Sequence, residues 1–309
     1  MNKRKLPDSV FAVAAVLLWS TAFVGIKFGY QSGVKPFFFA GIRFFLSGLI
    51  LWPLALYMNR EINAWKNLKD NIGFIFLIGI LQIFILYAAL YTGVFLVPAS
   101  ITAIVIGIQP LITSAGAHFF TENEKIVPRQ WFALLLAVAG LVILSVSRNS
   151  AVNRSAAGSS GELTGIILLI FSMLTGSASS ILVSVSKRRL SPLVLSSGQF
   201  TIGGLLLLLL SLITDGFPEF YPDRSFALSL VWLVFVSSSA ISLWFWLLST
   251  RKAKVGALSV WKFIIPVLGA VLGWVLFKDD TPDAGSAAGM IIIGVSLIIY
   301  FRPEKKRGN

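Results

Sequence analysis

Ten stretches of this 309-residue chain run for about 20 residues each with scarcely a charge, and that pattern decides what the chain can become. Hydrocarbon offers no partner to exposed backbone N–H and C=O groups, so runs of this kind cross a bilayer as α-helices. The spans read from the sequence are 9–29, 36–57, 72–92, 98–120, 129–147, 163–186, 192–213, 226–249, 255–277 and 285–301. Charged residues make up only 13% of the chain, against about a quarter in soluble domains. The first run follows Asn2-Lys3-Arg4-Lys5 in the manner of a signal peptide, but nine further runs make it a first span. With no cysteine, disulfides, thiolate metal sites and cysteine nucleophiles are excluded.

The formal charge of +13 would suit a nucleic-acid partner, but the placement of the charges excludes one. Basic residues gather at alternate loops: Lys3 to Lys5, Arg60/Lys66/Lys69, Lys125/Arg129, Lys187/Arg188/Arg189, Arg251/Lys252/Lys254 and Arg302 to Arg307. These hold 18 Lys and Arg, while the intervening loops hold 5, namely Lys35, Arg148, Arg154, Arg224 and Lys278. The positive-inside rule then puts both termini on the cytoplasmic side of a lipid bilayer.

Shifting the chain by 156 residues brings its landmarks into register: Pro36 onto Pro192, Arg43 onto Gln199, Gly48 onto Gly204, Pro110 onto Pro266, Glu124 onto Asp280. Each copy holds five spans, and an odd number makes the second copy start from the opposite side. The expected fold is an all-α integral membrane protein of ten transmembrane helices, arranged as two inverted five-helix repeats. The repeats occupy 9–147 and 163–302, joined by an extracytoplasmic Ser/Ala/Gly/Asn linker at 148–162 and followed by a basic cytoplasmic tail at 303–309. The linker's Asn153-Arg154-Ser155 matches a glycosylation sequon and is read as a chance match. Gly25-x-x-x-Gly29 and Gly269-x-x-x-Gly273 read as helix-packing positions.

All thirteen acids map to loops or termini, so the carboxylates that serve as proton or sodium ligands in coupled carriers are missing from the spans. No metal cluster, hydrolase triad or phosphate loop is present either, which argues against an enzyme and for no cofactor. His118, the single histidine, reads as interfacial. Lys262 is the sharpest candidate. It lies roughly 10 Å into span 9, on a face with Ser259 and Pro266. A cation there needs water or an anion, and a substrate carboxylate in a central cavity would supply the anion; snorkelling to the interface is the alternative. Its repeat mate is Ile106. Arg43, matched by Gln199, reads as a gating or structural polar position. Pro110 and Pro266 would kink spans 4 and 9 and mark gating helices. Gln109, Trp19-Ser20-Thr21, Gln82, Tyr87, Tyr91, Thr113, Ser177, Ser180, Ser238, Ser242, Trp246 and Trp261 complete the candidate lining.

Several of these residues also carry a resemblance. Leu18-Trp19-Ser20-Thr21-Ala22-Phe23, Ala40-Gly41-Ile42-Arg43-Phe44, Tyr87-x-x-x-Tyr91-Thr92, Pro110, and Glu124-Lys125 ahead of Gln130-Trp131 resemble a ten-span member of the drug/metabolite transporter superfamily, of the EamA type. The second half keeps Pro266, Asp280 in place of the usual glutamate, and Gly289/Gly294, but has Thr175 where the first has Trp19. The resemblance implies a secondary carrier of the cytoplasmic membrane whose relatives export amino acids and related metabolites, or move nucleotide sugars, purines or cationic drugs. Small multidrug relatives use a glutamate in the first helix, and the corresponding Leu17 to Ser20 contains no acid. A carrier exporting a carboxylate-bearing metabolite such as an amino acid, by alternating access, is the leading expectation. A facilitative exchanger for nucleotide sugars or drugs, a flippase or enzyme-partner subunit, and a channel are the alternatives.

Overall fold

The computed structural model describes residues 7–58, 63–97, 99–122, 124–149, 161–217, 222–276 and 282–302. Ten helices in it are long and apolar enough to cross a membrane: α1 Asp8–Tyr30, α2 Pro36–Met58, α3 Ala64–Leu96, α4 Ile101–Phe120, α5 Pro128–Ser147, α6 Glu162–Val185, α7 Pro192–Thr214, α8 Arg224–Ser249, α9 Val255–Leu276 and α10 Ala284–Phe301. The chain is thus an all-α, multi-pass membrane protein. Phe95, Phe120, Ile213 and Ile298, each more than 70% exposed, lie on the outer, lipid-facing surface. Asp280, Lys278, the Asn153 sequon, Lys3 to Lys5, Arg60 and the 303–309 tail lie outside the described residues.

Nine spans begin and end within about three residues of their expected positions. The tenth, α3, starts eight residues early. Asn63 accepts a hydrogen bond from the Lys66 amide (3.2 Å) and caps the helix there. The first two turns then carry Trp65, Lys66, Lys69 and Asp70, which a purely apolar window passes over. Asp70 is therefore helical, as are Asp8 and Glu162, so the expectation that every acid falls in a loop needs correcting. All three stay within the first two turns of their helices.

Four helices depart from α geometry in related places. α3 contains a π segment at Ile80–Ile85, and α8 contains one at Ser237–Ile241. The 156-residue shift superposes these two segments to within a residue. The helix of α4 is interrupted at Ile108, and α9 tightens into a 3₁₀ turn at Trp261–Phe263. The irregularities of α4 and α9 each precede a proline by two to five residues. Proline lacks an N–H and its ring crowds the carbonyl four residues back, so the strain falls on the turn before Pro110 and Pro266.

The principal helix contacts map onto one another when α1–α5 are exchanged with α6–α10. α2 packs on α7, α5 on α10 and α4 on α9; α1 with α8 matches α6 with α3, and α1 with α9 matches α6 with α4. The α2–α7 crossing is the closest kind of contact. A Cβ on Gly204 would lie 2.4 Å from the Phe45 nitrogen, and one on Gly48 would lie 2.4 Å from the Thr201 Oγ1. Gly25 and Gly29 likewise admit Leu233 and Ser229 of α8. Gly269, expected to serve the same purpose, faces open space, whereas Gly273 of the same pair is buried. Asp8 at the start of α1 pairs with Arg251 just after α8 (2.6 Å), and Arg129 at the start of α5 donates to the Arg302 carbonyl after α10 (2.5 Å). Both ends of the described chain therefore lie on one face of the bundle.

Candidate functional site

Lys262 occupies the middle of the 3₁₀ turn in α9, in the half of the bundle nearest the terminus-bearing face. Its ammonium lies 4.4 Å from the ring centroid of Trp244 in α8 and 5.2 Å from that of Trp19 in α1. The two indoles are themselves 5.3 Å apart, tilted by 55°. Among the described residues no carboxylate pairs with Lys262, and no hydrogen bond reaches its Nζ. The ring faces attract the cation through their quadrupoles but accept no conventional hydrogen bond. All three ammonium N–H donors thus remain for an anion.

This arrangement uses only part of the expected lining. Trp19 is at the site, and Trp244, absent from the sequence-derived set, stands beside it. Trp261 instead stacks on Phe301 of α10 (4.8 Å, 22°), while Trp246 packs edge-on against Phe11 and lies beneath Arg251. Gln82 receives a short hydrogen bond from Ser179, Thr113 and Ser177 share one at 2.8 Å, and the Gln109 amide lies against Gly176. These groups hold α6 to α3 and α4. Ser20, Thr21 and Ser238 donate back to carbonyls of their own helices at 2.6–2.7 Å. Ser180 is buried, and Ser242 Oγ and Trp244 Nε1 are buried without a hydrogen-bond partner. His118 is structural in its contacts: its Nδ1 accepts from the Ile126 amide (2.8 Å) and its ring meets Trp131.

Arg43 is the other interior cation. It is 3% exposed, with its guanidinium carbon 4.3 Å from the Phe44 ring centroid and 5.3 Å from that of Tyr87. Its Nε has no partner, and no carboxylate among the described residues pairs with it. Tyr87 in turn contacts Tyr91 (5.9 Å), and Tyr91 contacts Phe37 (6.5 Å). Gln199, the repeat mate of Arg43, is fully buried with both amide atoms unpaired. Outside the spans, Glu124 accepts from the amides of Val255 (2.8 Å) and Gly256 (2.7 Å), tying the α4–α5 loop to the start of α9. Burial pushes the Glu124 carboxyl up, although the two amides and Lys254 oppose that shift.

The profile of the EamA-like transporter family matches residues 8–146 and again 163–302. The chain belongs to the EamA-like transporter family. This EamA-like transporter is 28% identical to an uncharacterised transporter of Synechocystis over 87% of its own length and 82% of the relative's. It is 26% identical to a protein of Escherichia coli named a probable amino-acid metabolite efflux pump, over 94% of each chain. A solved crystal structure with 19% identity shares its fold at a TM-score of 0.78, over 95% of this chain and 96% of the other. The two family matches each cover five of the ten helices, the same division as the exchange of helix contacts.

Proposed function

We propose that this transporter moves a small carboxylate-bearing metabolite, such as an amino acid, out of the cell by alternating access between two inverted repeats. One observation carries the substrate class: an interior lysine lying over two adjoining indole rings, with no acid among the described residues to neutralise it. Such a cation attracts a carboxylate and repels a cationic drug. The matching contacts of the two halves, and the paired π segments in α3 and α8, support a frame that rocks between two arrangements. The breaks ahead of Pro110 and Pro266 supply its pivots. The excess of basic residues on the terminus-bearing face supports cytoplasmic termini in the cell membrane. The name of the Escherichia coli relative agrees with amino-acid export.

Purified protein in proteoliposomes, offered each proteinogenic amino acid in labelled form, tests the reading. At least one should show saturable counterflow, and Lys262→Met should raise its KM tenfold or more. Absence of flux for all of them overturns the amino-acid reading. Flux with an unchanged KM in Lys262→Met overturns the anchor.

A further inference from the structure

We propose that Arg43, together with the phenols of Tyr30 and Tyr91, forms a second anion-binding station in the half of the bundle remote from the chain termini. A transported carboxylate passes between this station and Lys262, so the inference rests on the carboxylate role proposed for Lys262.

The two cations stand at matching depths from opposite faces. Lys262 is the eighth residue of α9, which enters from the terminus-bearing face. Arg43 is the eighth residue of α2, which enters from the other face. Each is therefore roughly 10 Å along its helix from its own surface. Neither is the other's repeat mate: Lys262 corresponds to Ile106 and Arg43 to Gln199. The pair thus arises from unlike positions and is not a by-product of duplication.

α1 joins the two places. Trp19 touches the Lys262 ammonium, and eleven residues further on the Tyr30 hydroxyl lies within electrostatic range of Arg43 and Tyr91. Eleven residues make three turns, so the two rings share one face of α1 about 16 Å apart.

The chemistry at Arg43 is that of an incomplete site. A guanidinium carries five N–H donors in a fixed fork that matches a carboxylate. Among the described residues no carbonyl or carboxylate accepts a hydrogen bond from Arg43, and its Nε is buried with no partner. The Tyr30 hydroxyl is also buried, with the Tyr91 phenol as its neighbour. Phe44 covers the guanidinium face and the Tyr87 phenol takes one of its edge donors, which leaves Nε and the remaining N–H groups for an anion. An arginine bracing a broken helix would spend those donors on backbone carbonyls, and this one does not. Phe37, beside Tyr91, adds an apolar wall suited to the uncharged remainder of a small carboxylate.

The test compares transport from the two faces, using whole cells and inverted membrane vesicles. The probe is the amino acid with the highest wild-type counterflow. Arg43→Gln should raise KM at least tenfold for probe offered at the face opposite the termini, and less than twofold at the terminus-bearing face. Arg43→Lys should recover most of that loss. Tyr30→Phe should raise the same one-sided KM about threefold while leaving the Tm close to that of the wild type. Equal loss of Vmax from both faces in Arg43→Gln, with KM unchanged, overturns the station in favour of a framework role. Should Arg43→Gln not fold, Tyr30→Phe decides alone, and an unchanged KM at both faces overturns the station. Lys262→Met separates the two readings: if it changes neither KM while Arg43→Gln keeps its one-sided effect, the Lys262 anchor fails and the Arg43 station stands.

Discussion

The Lys262 cage makes a quantitative demand on stability. Insertion scales put a lysine at the centre of a membrane helix at about 2.5–3.5 kcal/mol. A desolvated cation–π contact returns about 2 kcal/mol at short range and about 0.5–1 kcal/mol at weaker sites. With Trp244 at 4.4 Å and Trp19 at 5.2 Å, the two rings offset most of that cost. Lys262→Met should therefore change unfolding free energy by no more than about 1 kcal/mol, since methionine keeps a favourable sulfur contact with an indole. Trp244→Leu should be costly by itself, and less costly once Lys262 is methionine. The double-mutant cycle isolates the difference, expected near 2 kcal/mol for Trp244 and near 1 kcal/mol for Trp19. Unfolding by sodium dodecyl sulfate in mixed micelles measures each variant. A coupling below about 0.5 kcal/mol for Trp244, or a larger one for Trp19 than for Trp244, would refute the cage.

Three further perturbations address the frame. Glu124→Gln retains one acceptor and turns an NH₂ towards a backbone amide, which should destabilise the protein by about 1–2 kcal/mol after allowance for partial exposure. Because the native carboxyl titrates above its ordinary value, its contribution is full at low pH and fades as pH rises through the native pKa; the Tm gap between wild type and Glu124→Gln should widen on acidification. Gly204→Ala forces a methyl against the Phe45 backbone and should lower stability by about 1–3 kcal/mol, whereas Gly294→Ala, with open space around it, should be neutral or stabilising by up to about 1 kcal/mol; denaturation of both variants checks the contrast. Asn67 donates to the Arg189 carbonyl (2.7 Å) and accepts from the Ser191 amide (3.0 Å), so Asn67→Ala should speed tryptic cleavage after Lys187, Arg188 or Arg189, read by timed digestion.

The helices were legible because a membrane span must be long and apolar, and the repeats because Pro110/Pro266 and Gly48/Gly204 recur at one offset. The start of α3 was not, since its first two turns lie in polar surroundings and advertise themselves only through the Asn63 cap. Of the expected cavity residues, Lys262 and Trp19 lie together, while Trp244, which meets them both, was not among those read from the sequence. Face-counting assumes 100° per residue, and the π segment at Ser237–Ile241 breaks that phase just ahead of Trp244. The extra residue in that turn rotates the remainder of α8, so Trp246 goes to the interface and Trp244 to the lysine. Trp261 was misplaced for a related reason: the 3₁₀ turn it opens winds more tightly and sends its ring onto Phe301.

These irregular turns also explain why the halves share a frame but not a site. The π segments in α3 and α8 fall at equivalent positions, yet the first places Gln82 against Ser179 of α6, and the second precedes a tryptophan that meets a cation of α9. One repeat spends its polar group on holding two helices together. The other leaves an ammonium with three unspent donors. Duplication would give each copy the same backbone irregularity, and single side chains at those places, Trp244 and Lys262 against Ala88 and Ile106, would then set which copy holds the proposed site. A carrier of this kind would keep its motion in the symmetric residues and its selectivity in the asymmetric ones. Exchanging Lys262 for isoleucine, the residue of the other repeat, should accordingly abolish recognition of the carboxylate while the ten-helix frame still folds.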